Sequence, residues 1–114
     1  MRRFICSICY ALKGIRYAIR TQMNMKIHVV AAVLVVAVSL YVKLPPLELA
    51  LLSIAIFMVW AAELFNTALE KLVDLVSPEK HFLAGIVKDV AAGAVLVTAI
   101  NAVVVACLII WPRL

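Results

Sequence analysis

Four polar side chains stand at i, i+3, i+7 and i+11 of an otherwise largely apolar stretch: Glu63, Asn66, Glu70 and Asp74. On a helix turning about 100° per residue they share an arc of about 80° and rise about 16 Å along the axis. Carboxylates facing lipid are costly, so a stripe of three with an amide must face protein, a metal ion or water. A second polar cluster follows, His81 and Lys88-Asp89 with Gly85. Carboxylates beside a single lysine suit Mg²⁺ and a phosphate chain, because hard cations take oxygen ligands. Phosphoryl transfer asks for little covalent chemistry: a nucleophile is positioned, phosphate charge is neutralised and a proton is removed. Glu63, the deepest acid of the stripe, could take that proton from a hydroxyl at the membrane interface. The plainer alternatives are a hydrogen-bonded packing acid for Glu63 and an ordinary interfacial ion pair for Lys88-Asp89.

Other chemistries lack their residues. There is no glycine-rich phosphate loop and no G-x-S-x-G, and neither His28 nor His81 has an evident serine partner. Cys6 and Cys9 form a CxxC, and Cys107 lies in an apolar run. Zinc would need further ligands at suitable spacing, so the three read as small apolar fillers in a reduced compartment.

The elements that must position these groups are set by hydropathy. A chain of 114 residues that is 68% hydrophobic and 15% charged, with mean hydropathy +1.16, lies far outside the soluble range. The bilayer is its natural solvent. A net charge of +5 suggests anionic lipid or nucleic acid. The basic residues cluster at segment ends without aromatic interleaving, which favours lipid and no nucleic acid.

Residues 2–20 are expected to form an amphipathic surface helix. Arg2, Lys13, Arg16 and Arg20 share one face, and Phe4, Ile5, Ile8, Leu12, Ile15 and Ile19 populate much of the rest. The segment carries charge throughout and lacks the apolar core of a cleavable signal. Three membrane-spanning helices are expected at about 27–43, 47–76 and 79–111, with residues 1–114 as a single domain. Lys43-Leu44-Pro45-Pro46 forces a reversal between the first two. Ser77-Pro78-Glu79 reads as the cap, first position and first-turn acid of the third. Nine of the eleven basic residues (Arg2, Arg3, Lys13, Arg16, Arg20, Lys26, Lys71, Lys80, Lys88) then fall on one side, against Lys43 and Arg113 on the other. The N-terminus and the acidic stripe are therefore expected to be cytoplasmic.

The combined pattern Glu63-x-x-Asn66-x-x-x-Glu70-x-x-x-Asp74 and His81-x-x-x-Gly85-x-x-Lys88-Asp89 resembles the small bacterial integral-membrane diacylglycerol kinase family, which includes undecaprenol kinases. The likeness extends to Tyr10-x-x-Lys13-Gly14-x-Arg16 and to Asn24-Met25-Lys26-Ile27-His28, covering nearly the whole chain. The resemblance implies a homotrimer in the bacterial inner membrane, each copy with a surface helix and three spans, and with sites shared between subunits. It implies an ATP- and Mg²⁺-dependent kinase acting on the primary hydroxyl of a membrane lipid. On that pattern Glu63 looks like the general base, with Asn66 beside the reacting groups and Glu70 holding metal. Lys88 and Asp89 would contact the nucleotide, Arg3 and Tyr10 would lie near it, and Gly85 would allow close backbone approach. The family usually places a metal-binding glutamate two residues before the asparagine of the N-x-K-x-H segment. Here that position is Gln22, whose amide oxygen can ligate Mg²⁺ but carries no charge. The Asn-Met-Lys-Ile-His segment resembles the undecaprenol-kinase branch, so undecaprenol is the expected substrate and diacylglycerol the alternative.

Two other classes make different demands. A small transporter would place its acid near the bilayer midplane, whereas this stripe begins after an apolar half-helix and runs out towards the interface. A catalytically impaired membrane scaffold, the alternative that Gln22 supports, would tolerate loss of Glu63.

Overall fold

The computed structural model describes residues 1–114 as four α-helices and one 3₁₀ turn: α1 (Arg2–Thr21), α2 (Met23–Tyr41), α3 (Pro46–Val76), α4 (Phe82–Ile110) and the turn Trp111–Arg113. There is no strand. The last three α-helices are long and apolar enough to cross a membrane. At about 1.5 Å per residue, the 31 residues of α3 make a rod longer than the hydrocarbon core, so part of it must project.

α3 and α4 pack as a long antiparallel hairpin, with α2 laid on them more sparsely and α1 touching only α2 and α3. Small side chains at Ala32, Ala55 and Ala91 let the helices approach, and Met25, Leu52, Val59 and Val95 fill the remaining space. Two hydroxyls inside the spans are satisfied within their own helices. Ser39 donates to the Val35 carbonyl at 2.7 Å, and Thr98 to the Val95 carbonyl at 2.8 Å. Only 13 of 114 residues are buried although 68% are hydrophobic. With a thickness of 20 Å, about two helix diameters, the chain is an open layer whose apolar faces need lipid or another copy.

The reversal between α2 and α3 is built as the proline pair requires. The Leu44 N–H donates to the Ser39 carbonyl at 3.1 Å and the Lys43 N–H to the Leu40 carbonyl at 3.3 Å, a Schellman close with Leu44 tucked in. Pro46 then opens α3 at its first turn, where no N–H is needed. The close puts Lys43 at φ 57°, a conformation glycine adopts without strain. Lys43→Gly is therefore expected to stabilise the chain by about 0.5 kcal/mol net of its own entropy cost. A thermal melt in detergent checks this, and an unchanged or lowered Tm would contradict it. At the same end, Arg113 ties the terminal turn to Glu48 at 2.5 Å.

The α3–α4 connection differs from expectation. Ser77 ends α3 and its hydroxyl donates to the Glu79 carbonyl at 3.1 Å, so Ser77-Pro78-Glu79 is the loop and not the start of a helix. α4 begins at Phe82, because the His81 imidazole caps it by accepting the Leu83 N–H at 3.1 Å. The helix that carries the first span starts at Met23, ahead of the apolar run. Only Gln22, extended at φ −108° and ψ 117°, separates α1 from α2.

Candidate active site

The acidic stripe on α3 runs from buried to open. Glu63, Asn66 and Thr67 are buried, Glu70 is half-buried and Asp74 is exposed. The Glu63 side chain is 1% exposed, and both of its carboxylate oxygens lack a hydrogen-bond partner. A buried carboxylate without a donor is expensive, on the order of several kcal/mol, which a packing role does not return. Asn66 is held beside it by donating its amide to Glu70 Oε1 at 3.2 Å, leaving its own Oδ1 buried and unpartnered. Thr67 spends its hydroxyl on the Glu63 backbone carbonyl at 2.9 Å and so locks the turn without touching the carboxylate.

The stripe joins the second cluster through an ion pair, Asp74 Oδ1 to Lys88 Nζ at 2.6 Å, which bridges α3 and α4. Lys88 thus pairs across the hairpin and not with its neighbour Asp89, which is exposed. Asp74, Lys88 and Gly85 line an open cleft of about 460 Å³ whose other wall is the 77–81 loop. A side chain added at Gly85 would meet nothing within 4 Å, so the backbone there is open to a ligand.

The remaining expected residues lie on α1 and at its C-terminal end. Arg3 and Tyr10 are exposed on α1, where Lys13 Nζ sits 5.6 Å above the Tyr10 ring. α1 does not touch α4, so these two are not brought to the Lys88 cleft within one chain. Gln22 is half-buried at the α1–α2 break, and its side chain makes no capping hydrogen bond. No three acidic, imidazole or thiol groups converge on one point. Mg²⁺ does not require such a cage, since it usually takes one or two carboxylates and completes its shell with phosphate and water. Glu70, with Asn66 on one carboxylate oxygen and no hydrogen bond recorded on the other, fits that requirement.

Two residues without an expected role come to the site. His28 of α2 places Nε2 3.7 Å from Glu63 Oε2, and the Trp60 indole N–H is buried without a partner one turn below Glu63. Trp60 could have been found by extending the i, i+3 spacing backwards from Glu63. His28 lies near the head of its span, two residues after Lys26, but spacing within α2 cannot reveal what it faces on α3.

The stripe and cleft can be set against known proteins. The profile of the prokaryotic diacylglycerol kinase family matches residues 9–110. The chain belongs to that family. Its members are lipid kinases, and with three apolar helices this chain is a multi-pass membrane protein. It is 44% identical over 112 residues to a diacylglycerol kinase of Synechocystis sp., covering 96% of this chain and 64% of that longer protein. It is 37% identical over 114 residues to the undecaprenol kinase of Bacillus subtilis, covering 100% of this chain and 93% of the other. It is 31% identical over 111 residues to the diacylglycerol kinase of Escherichia coli, covering 97% and 91% respectively.

Proposed function

We propose that this chain transfers the γ-phosphoryl group of ATP directly to the primary hydroxyl of a membrane lipid, with undecaprenol as the preferred acceptor. The observation that carries the reading is Glu63, a buried carboxylate on the reactive stripe with both oxygens unpartnered. Such a group can accept the hydroxyl proton as the oxygen attacks phosphorus, while ADP leaves with the electron pair of the broken P–O bond. Asn66, fixed by Glu70, offers its free Oδ1 beside the reacting groups. Glu70 and Gln22 would hold Mg²⁺, whose chemistry there is to neutralise phosphate oxygens. Lys88 would exchange its contact with Asp74 for phosphate, with Asp89 and the open backbone at Gly85 framing the nucleotide.

Arg3 and Tyr10 would reach that nucleotide from a neighbouring copy, in keeping with a homotrimer with shared sites. The separation of α1 from α4 within one chain supports this. So does Asn101, whose amide is exposed on a span and is best satisfied across a helix interface. The skew of basic residues supports a cytoplasmic N-terminus in the bacterial inner membrane. Diacylglycerol is the second reading, favoured by the 44% identity to a protein of that activity.

The test is transfer of labelled phosphate from Mg·ATP to undecaprenol and diacylglycerol in matched mixed micelles. Labelled undecaprenyl phosphate in excess supports the reading, and a diacylglycerol preference reverses the acceptor. No transfer to either lipid by folded protein would contradict it. In the same assay Gln22→Glu is expected to lower the Mg²⁺ concentration for half-maximal rate by about tenfold, because a charged oxygen replaces a neutral one. An unchanged Mg²⁺ profile would take Gln22 out of the metal site.

A further inference from the structure

Glu63 does not stand alone at the buried end of the stripe. The His28 imidazole of α2 faces it, with Nε2 3.7 Å from Oε2. That nitrogen and both Glu63 oxygens are buried, and none has a hydrogen-bond partner. A gap of 3.7 Å exceeds a hydrogen bond, yet buried polar groups in native proteins are paired with few exceptions. Complementary groups that face each other just out of reach mark a contact that closes when the site fills. Catalytic hydrogen bonds often lengthen in this way in the empty enzyme.

The other polar groups near Glu63 are already committed or unsuited. The Asn66 amide gives one N–H to Glu70, itself an acid, and its second lies towards Glu63 from the same helix without a well-formed hydrogen bond, while the Thr67 hydroxyl is bound to backbone. Lys88 is held by Asp74. The Trp60 indole lies a turn deeper, with its ring edge-to-face against Phe57. His28 is the donor whose polar edge meets the carboxylate.

We propose that His28 is a positioning residue for phosphoryl transfer, its Nε2–H holding one Glu63 oxygen so that the other is aimed at the lipid hydroxyl. The inference rests on the base role of Glu63 given above. A neutral imidazole suits the task. It fixes the direction of the carboxylate without supplying the full positive charge of a lysine, which would compete with the incoming proton.

Three variants separate positioning from packing. His28→Leu removes the donor, His28→Gln keeps an N–H near the reach of Nε2, and His28→Asn carries one that stops near Nδ1. Each is measured for kcat and for KM of ATP beside Glu63→Gln, with helical content and elution in detergent as folding controls. His28→Leu and His28→Asn are expected to lose about 10- to 100-fold in kcat at unchanged KM for ATP, and His28→Gln to stay within about fivefold of wild type. Equal losses in folded Gln and Asn variants would overturn the positioning role. So would a wild-type kcat in the Asn variant, or a loss confined to KM. Collapse of Glu63→Gln with all His28 variants active would remove this inference alone. Full activity in Glu63→Gln would remove the base assignment and this inference with it.

Discussion

Glu63→Gln is expected to lower kcat for lipid phosphorylation by about 10²- to 10⁴-fold, the usual worth of a positioned general base, with nucleotide binding changed by no more than about twofold. The substitution keeps size and shape and removes only the ability to take a proton. It also removes a buried carboxylate whose two oxygens have no partner. Replacing such a charge with a neutral amide should hold or raise the Tm, because the desolvation cost falls. The signature is therefore split: turnover collapses while stability does not. Steady-state kinetics, binding of a non-hydrolysable ATP analogue and a thermal melt read the three quantities. Equal loss of turnover and nucleotide binding would take Glu63 out of the base role, and a lower Tm would make it a packing acid.

Glu70 should show the second largest effect, and its two variants should differ. One of its oxygens receives the Asn66 amide at 3.2 Å and the other makes no hydrogen bond. Glu70→Gln can still accept from Asn66 but loses the charge, so the Mg²⁺ concentration needed for half-maximal rate should rise about 10- to 100-fold. Glu70→Ala loses both functions. Asn66 is then released, and the kcat at saturating Mg²⁺ should fall well below that of the Gln variant. A Mg²⁺ titration of both proteins measures the difference. Identical behaviour of the two would mean that Glu70 does not fix Asn66.

The features most legible in the chain were those written in spacing and in proline. The prolines at 45 and 46 do separate two helices, and the Glu63–Asp74 spacing does form one helical face that runs from buried to exposed. Less legible were boundaries decided by one side chain. Ser77-Pro78-Glu79 has the composition of a helix start, but Ser77 is drawn into closing α3 and the cap falls to His81. No periodicity distinguishes those outcomes, since both place a capping side chain just ahead of the third span. The α1–α2 break falls where the surface helix was expected to end, and one extended residue at Gln22 suffices to turn the chain.

Within the site, the run along α3 was readable because it is local. What faces it from other helices was not. His28 lies far from Glu63 in sequence, and its place opposite the carboxylate is a property of how α2 packs on α3. For Lys88, expected at the nucleotide, the plainer alternative was a pair with its neighbour Asp89, but successive residues on a helix diverge by about 100°. It meets Asp74 across the hairpin instead. Arg3 and Tyr10 carry the same lesson further, since motif spacing does not say that α1 stays clear of α4 within the chain.

The most direct test of a single transfer from ATP to lipid, with Glu63 as proton acceptor and not as nucleophile, is the stereochemical course at phosphorus. ATP made chiral at the γ-phosphoryl group with oxygen isotopes would be turned over with the preferred lipid, and the configuration of the product phosphate determined. One in-line displacement predicts inversion. Retention would require two displacements through a phosphoenzyme and would contradict the account.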